Sequence, residues 1–132
     1  MIHKNFFSEF KILDGGMGQE LLARGVKPIS NLWSATALMN KDYHQIIKDC
    51  HLDFINSGAE IILTNTFGCR RRRLEENQIE NRFEELNMTA VKLAKQSVKE
   101  SGKKTSRLTC SSIPTRTTAF TAGLPACTCS PR

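Results

Sequence analysis

The residues best suited to chemistry come early in the chain. In "ILDGGMGQELLARG", residues 12–25, Asp14 is followed by Gly15, Gly16 and Gly18. A carboxylate takes an ammonium group. Glycine lets a ligand approach the backbone, and the N–H groups at the start of a helix hold an anion. The combination suits a zwitterion, which is to say an amino acid. On spacing alone the same residues read first as a plain strand-to-helix turn, with glycine supplying φ > 0 and the aspartate a cap. A second polar set, Thr64, Asn65 and Thr66, follows directly on three aliphatics, Ile61, Ile62 and Leu63. The thiols and imidazoles are less suggestive. Cys50 falls on an apolar helical face and reads as core. Cys69 follows the second polar set, but one thiol does not make a metal site. Cys127 and Cys129 stand one residue apart in a Pro/Thr-rich tail and read as ordinary thiols, and His3, His44 and His51 have no ligand spacing. Arg70–Arg73 offer charge for phosphate, nucleic acid or a targeting receptor. Such a run reads first as a solvated face, and a helix dipole disfavours four cations at its start.

The elements that must position these groups follow from periodicity. Lys11–Asp14 is expected as a short strand ending in the carboxylate, and Gln19–Ala23 as a helical turn or two stopped by Gly25. "VKPISNLWSATALMN" reads as a loop with Trp33 as its buried candidate. Tyr43, Ile46, Ile47, Cys50 and Phe54 share one face of a helix from about Asp42 to Ser57, with Gly58 at the C-terminal cap. "EIILTNTF", residues 60–67, is expected as a strand buried on both faces, as in a parallel sheet. One long helix is expected from about Leu74 to Ser101, on Ile79, Phe83, Leu86, Ala90 and Leu93. Its glutamates come first and its lysines last, as the dipole favours, and Gly102 ends it. Residues 106–113 are the candidate for a third strand, though their composition is poor for one. Strand, helix, strand, helix, strand is the grammar of an α/β protein, whose sites form beyond the C-terminal ends of the strands.

"LDGGMGQELLARG", "LWSATAL" and "HLDFINSGAEIILTNTFG", in that order and followed by a long helix, resemble the N-terminal part of the homocysteine S-methyltransferase family. The resemblance spans about residues 11–102. Gln19 departs from the threonine usual in the family, and the arginine run is denser than in relatives. "SSIPTR", residues 111–116, resembles the family's third-strand segment. The resemblance implies a (β/α)8 barrel that transfers a methyl group to the sulfur of homocysteine, giving methionine, with a zinc ion held by three cysteine thiolates. It places Asp14, Gly15 and Gly16 at the amino-acid end of homocysteine and Thr64, Asn65 and Thr66 at the mouth of the second strand, lining the same pocket. The family's zinc cysteines, one after a Gly-Gly-x-Cys-like element and two as an adjacent pair, have no counterpart here. No zinc or other cofactor is therefore expected for this chain alone, and no catalytic or metal-ligating residue is assigned.

Length and charge complete the expectation. A full barrel takes ~250 residues, and this chain has 132. It is expected to hold about three of eight strands: a partial homocysteine-binding domain over residues 1–116, truncated and inactive alone. Residues 117–132 are expected to be an irregular, disordered tail that does not continue the fold. All thirteen acidic residues precede Lys103, so five of the six net positive charges belong to the C-terminal segment. Homocysteine and a small methyl donor are the expected partners, and nucleic acid is not. The alternative is a non-catalytic fragment or interaction module that binds a partner chain, and an unpaired strand leaves self-association through that open sheet edge open. No apolar run approaches a membrane helix, and no signal peptide is visible. A cytoplasmic setting is expected, without disulfides.

Overall fold

Helices dominate the architecture, and they pack around a small parallel sheet. The structure, a computed structural model, describes Ser8, residues 10–103 and the backbone of residues 107–109. Every element lies in the unit Lys11–Ser112. The calls on residues 111–116, on the tail, on Cys127 and Cys129 and on His3 lie outside the described residues. In chain order the elements are α1 (Met17–Ala23), α2 (Thr36–Met39), α3 (His44–Asn56), β1 (Ile61–Leu63), α4 (Arg71–Glu76), α5 (Phe83–Ser101) and β2 (Arg107–Thr109). Single 3-10 turns cover Ser30–Ala35, Lys41–Tyr43, Phe67–Cys69 and Glu80–Arg82.

β1 and β2 pair in parallel, Ile61 with Arg107, Ile62 with Leu108 and Leu63 with Thr109. The crossover between them carries α4 and α5, so this is a β–α–β unit of the kind the alternation of elements implies. The expected first strand is reduced to one parallel bridge, Leu13 to Ile61. It is tied by Asp14 N–H to Ile61 O at 3.0 Å and Ile61 N–H to Ile12 O at 3.1 Å. Its aliphatics stay out of the core, with Ile12 59% and Leu13 55% exposed.

Four further expectations are corrected. The expected strand at residues 60–67 stops at Leu63, because Thr66 N–H turns back to Thr64 O at 2.7 Å and leaves the ladder. The expected single helix from Leu74 is two, broken at Asn77–Ile79. Gln78 adopts a left-handed conformation (φ 59°), and Asn77 Nδ2 caps Arg73 O at 2.7 Å. The expected loop at residues 26–40 contains a 3-10 turn and α2. α1 begins at Met17, two residues before expectation.

The core forms where α3 meets α5. Ile47 and Cys50 of α3 and Leu86, Ala90 and Leu93 of α5 bury together with Leu21 of α1 and Leu74 of α4. A second cluster, Ile55, Ala59, Ile62 and Ala94, seats β1 on the same helix pair, and Phe54 packs against both. Ser97 Oγ donates to Lys48 O at 3.2 Å across the α3–α5 seam. Arg24 joins α1 to α3 by bonds to Glu20 (2.8 Å) and Asp53 (2.7 Å). Gly102 ends α5 at φ 65°, where a side chain would be strained.

Gly68 sits where no side chain fits. A Cβ there would lie 2.8 Å from Ala35 Cβ and from Leu32 O, and 3.0 Å from Ala35 N. Two of those atoms are backbone and cannot swing aside. Gly68→Ala is expected to lower stability by about 1–3 kcal/mol, the range for overpacking. That exceeds the roughly 0.4–1 kcal/mol that losing a glycine gains from the unfolded state. Urea denaturation of the two proteins measures the difference, and a neutral or stabilising result would show that the 30–35 turn yields.

Candidate active site

The bridge at Leu13 delivers Asp14 to the C-terminal end of β1. There Leu63 N–H donates to Asp14 Oδ2 at 2.7 Å, across 49 positions of sequence. The other carboxylate oxygen, Oδ1, is buried and has no hydrogen-bond partner among the described residues. Burial raises the Asp14 carboxyl above its ordinary value, and the backbone N–H groups of Leu63 and of Asp14 itself pull it part of the way back. A carboxylate with one oxygen pinned and the other dry and unpaired is an acceptor short of a donor.

Gly15 and Gly16 carry the chain from Asp14 into α1. Gly15 passes the Phe54 ring so closely that a Cβ would lie 2.8 Å from it. Gly16 is the helix cap. It has open space where a Cβ would be, and its carbonyl accepts from Gln19 and Glu20. Gly18, in the first turn, lies under Trp33, with 3.0 Å between an added Cβ and the indole.

The second set is brought to the same end of β1. Thr64, Asn65 and Thr66 are all buried, at 5%, 4% and 0% exposure. The Thr64 and Thr66 hydroxyls bond one another at 3.1 Å. Asn65 points elsewhere: its Nδ2 donates to Ser34 O at 2.9 Å, binding the strand end to the 30–35 turn. Sequence reasoning grouped these three as one lining, whereas the structure gives Asn65 a separate partner. It missed Leu63, whose amide fixes Asp14, and no side-chain signal announces a backbone donor.

The remaining candidates settle as follows. Cys50 and Cys69 are fully buried. Burial pushes the Cys50 thiol up to about 12, against the opposing pull of Arg24, so it stays protonated and unreactive. His51 is fully buried, with neither ring nitrogen partnered among the described residues. Burial lowers it to about 4. The arginines are not simply solvated. Arg70 and Arg73 lie over the Phe67 ring at 4.1 and 5.6 Å, Arg71 lies over Phe83 at 4.1 Å, and Arg72 pairs with Glu76 at 3.2 Å. Cation–π stacking on Phe67 and Phe83 offsets the unfavourable dipole. Among the described residues no three His, Cys, Asp or Glu side chains stand close enough to share a metal ion. No described helix is long and apolar enough to cross a membrane.

Comparison with known proteins shows the family. The sequence profile described as Homocysteine S-methyltransferase matches residues 11–130. Homocysteine S-methyltransferase 2 of Saccharomyces cerevisiae is 34% identical over 74 residues, covering 50% of this chain and 23% of the yeast protein. Homocysteine S-methyltransferase of Escherichia coli is 36% identical over 72 residues, covering 51% of this chain and 23% of its own. Among solved structures, the metallated form of the homocysteine methyltransferase MmuM from Escherichia coli superposes with a TM-score of 0.65 at 25% identity. The overlap takes in 81% of this chain and 38% of that one. The matches to these two curated relatives span less than a quarter of their length.

Proposed function

The chain belongs to the homocysteine S-methyltransferase family, and on that premise we propose that it supplies the amino-acid-recognising part of a homocysteine site. The reaction served is methyl transfer from a small donor to the homocysteine sulfur, giving methionine. The observation that carries the reading is the Asp14 carboxylate, pinned through Oδ2 by the Leu63 amide and with Oδ1 buried and unpaired. The ammonium group of an amino acid supplies the missing donor, and as a cation it stabilises the ionised carboxylate that burial disfavours. The exposed backbone at Gly15 and Gly16 faces the substrate carboxylate, and Thr64 and Thr66 wall the strand end.

The Cys and His residues described do not make the three-thiolate zinc site that the family resemblance implies, since no three such ligands stand together among them. No step is therefore derived through a metal. In this reading the sulfur-binding and donor-binding parts belong to further strands of an incomplete (β/α)8 barrel, and the 132 residues alone bind the amino-acid end without turning over.

Calorimetric titration with homocysteine and with 4-mercaptobutanoate, which lacks the amino group, tests this. Homocysteine is expected to bind and the amine-free analogue to fail. Equal binding of both, or of neither, would remove the ammonium–Asp14 contact. A second reading, an interaction module, is favoured by one observation: Ile12 and Leu13 present exposed apolar side chains beside β1. A partner chain or second copy that covers them would show as a larger species in light scattering. That species would dissociate on Leu13→Lys.

A further inference from the structure

Trp33 holds a backbone conformation that bulky residues avoid. Its φ of 50° and ψ of −121° interrupt an otherwise helical turn, Ser30–Ala35. Such a conformation persists only where the surroundings over-determine it, and here they do so from three sides. Asn65, 4% exposed, donates Nδ2 to the carbonyl of Ser34, the next residue, at 2.9 Å. Gly68 lies against Leu32 O and Ala35, so the segment after β1 grips the turn at a second point. On the far side the indole lies on Gly18, in the first turn of α1 and four residues beyond Asp14. Asn65, Ser34, Trp33 and Gly18 thus form a continuous contact from the end of β1 to the glycine turn.

We infer that Asn65 is a positioning residue, which anchors the Ser34 carbonyl, holds the adjoining Trp33 in its strained geometry and so seats the indole against the Asp14–Gly18 turn as a wall of the amino-acid subsite. The amide does this as a donor. Its partner is a backbone carbonyl 31 positions away, and aspartate at 65 would set an acceptor against that carbonyl. The part of the inference that concerns a subsite rests on the homocysteine reading above. The part that concerns Trp33 does not.

Trp33 is the only tryptophan in the chain, so its fluorescence reports this contact alone. In the 132-residue protein, Asn65→Ala and Asn65→Asp are expected to shift Trp33 emission to the red and raise its quenching by acrylamide, while the far-ultraviolet circular dichroism stays that of the parent. Asn87→Ala serves as the structural control. Asn87 is also buried and also donates to a backbone carbonyl, that of Phe83 at 2.7 Å, but within α5. It should lower the melting temperature and leave the emission unchanged. A folded Asn65→Ala protein with parental emission and quenching would overturn the inference. Should both Asn65 variants fail to fold, the unsubstituted protein decides: one narrow indole N–H resonance supports a held Trp33, and several or exchange-broadened signals overturn it. With homocysteine present, Asn65→Ala is expected to weaken binding roughly tenfold, the usual scale for one lost positioning bond. If the parent binds no homocysteine while the Asn65 variants still release Trp33, the homocysteine reading fails and the positioning role stands.

Discussion

Asp14→Asn is expected to weaken homocysteine binding by roughly ten- to a hundredfold while leaving the fold intact. Asparagine still offers an oxygen to the Leu63 amide, so the bond that ties the first segment to β1 survives. What is lost is the charge that meets the substrate ammonium. A charge-assisted hydrogen bond is worth about 1.5–3 kcal/mol, which gives that range of affinity. The pH dependence follows with a definite sign. Binding needs the carboxylate ionised, and burial has raised its pKa. Affinity for the parent is therefore expected to fall as the pH drops through that raised value, and Asp14→Asn should show no such fall. Calorimetry across pH, with melting temperatures as a check on folding, measures both. Unchanged affinity in the variant would take Asp14 out of the site.

The second large effect concerns acid. His51 is buried without a partner among the described residues, and its pKa in the fold is lowered to about 4 from 6.5. Below 6.5 the unfolded chain takes up a proton that the folded chain refuses. Stability from this group is thus fully present above pH 6.5 and is lost as the pH falls toward 4, by about 3 kcal/mol in all. Asp14 acts in the opposite direction. Its raised pKa means the folded state binds a proton more readily than the unfolded state from 3.8 upward, which favours folding in acid. The raw pH profile mixes the two, so the comparison is with His51→Leu, which removes the imidazole and keeps an apolar side chain of similar reach. Urea denaturation between pH 4 and 7 should give a flatter profile for His51→Leu than for the parent. Parallel profiles would show that His51 finds a partner or reaches solvent.

How much of this was legible beforehand depended on whether the deciding contact is local. α3 could be read because its stripe lies within one helix. Even there the buried face turned out to include His51 and Ile55, while Tyr43 and Ile46 are only half-buried. The break between α4 and α5 was not legible, because Ile79 and Phe83 continue the apolar spacing straight through it. What ends α4 is the left-handed Gln78 and the Asn77 cap. β1 looked longer than it is because Thr64–Thr66 carry strand-forming residues. The backbone turns instead, and the Thr64 and Thr66 hydroxyls bond each other. Asp14 could be singled out as a candidate because a carboxylate before two glycines at a strand end is a chemical pattern. The roles of Leu63 and Asn65 were hidden, since each depends on a partner 49 or 31 positions away. The conformation of Trp33 left no trace in the residues around it.

The parallel pairing of Ile61–Leu63 with Arg107–Thr109 also has a kinetic consequence. Its two strands are separated by both helices of the crossover, so the ladder rewards the chain only after a long loop has closed. The contacts within α3 and within α5 span only a few positions and can form first. Folding should then begin within the individual helices and finish at the sheet. Asp14 is tied to the Leu63 amide of β1, so the carboxylate proposed to meet the substrate would be among the last groups to reach its place as the chain folds.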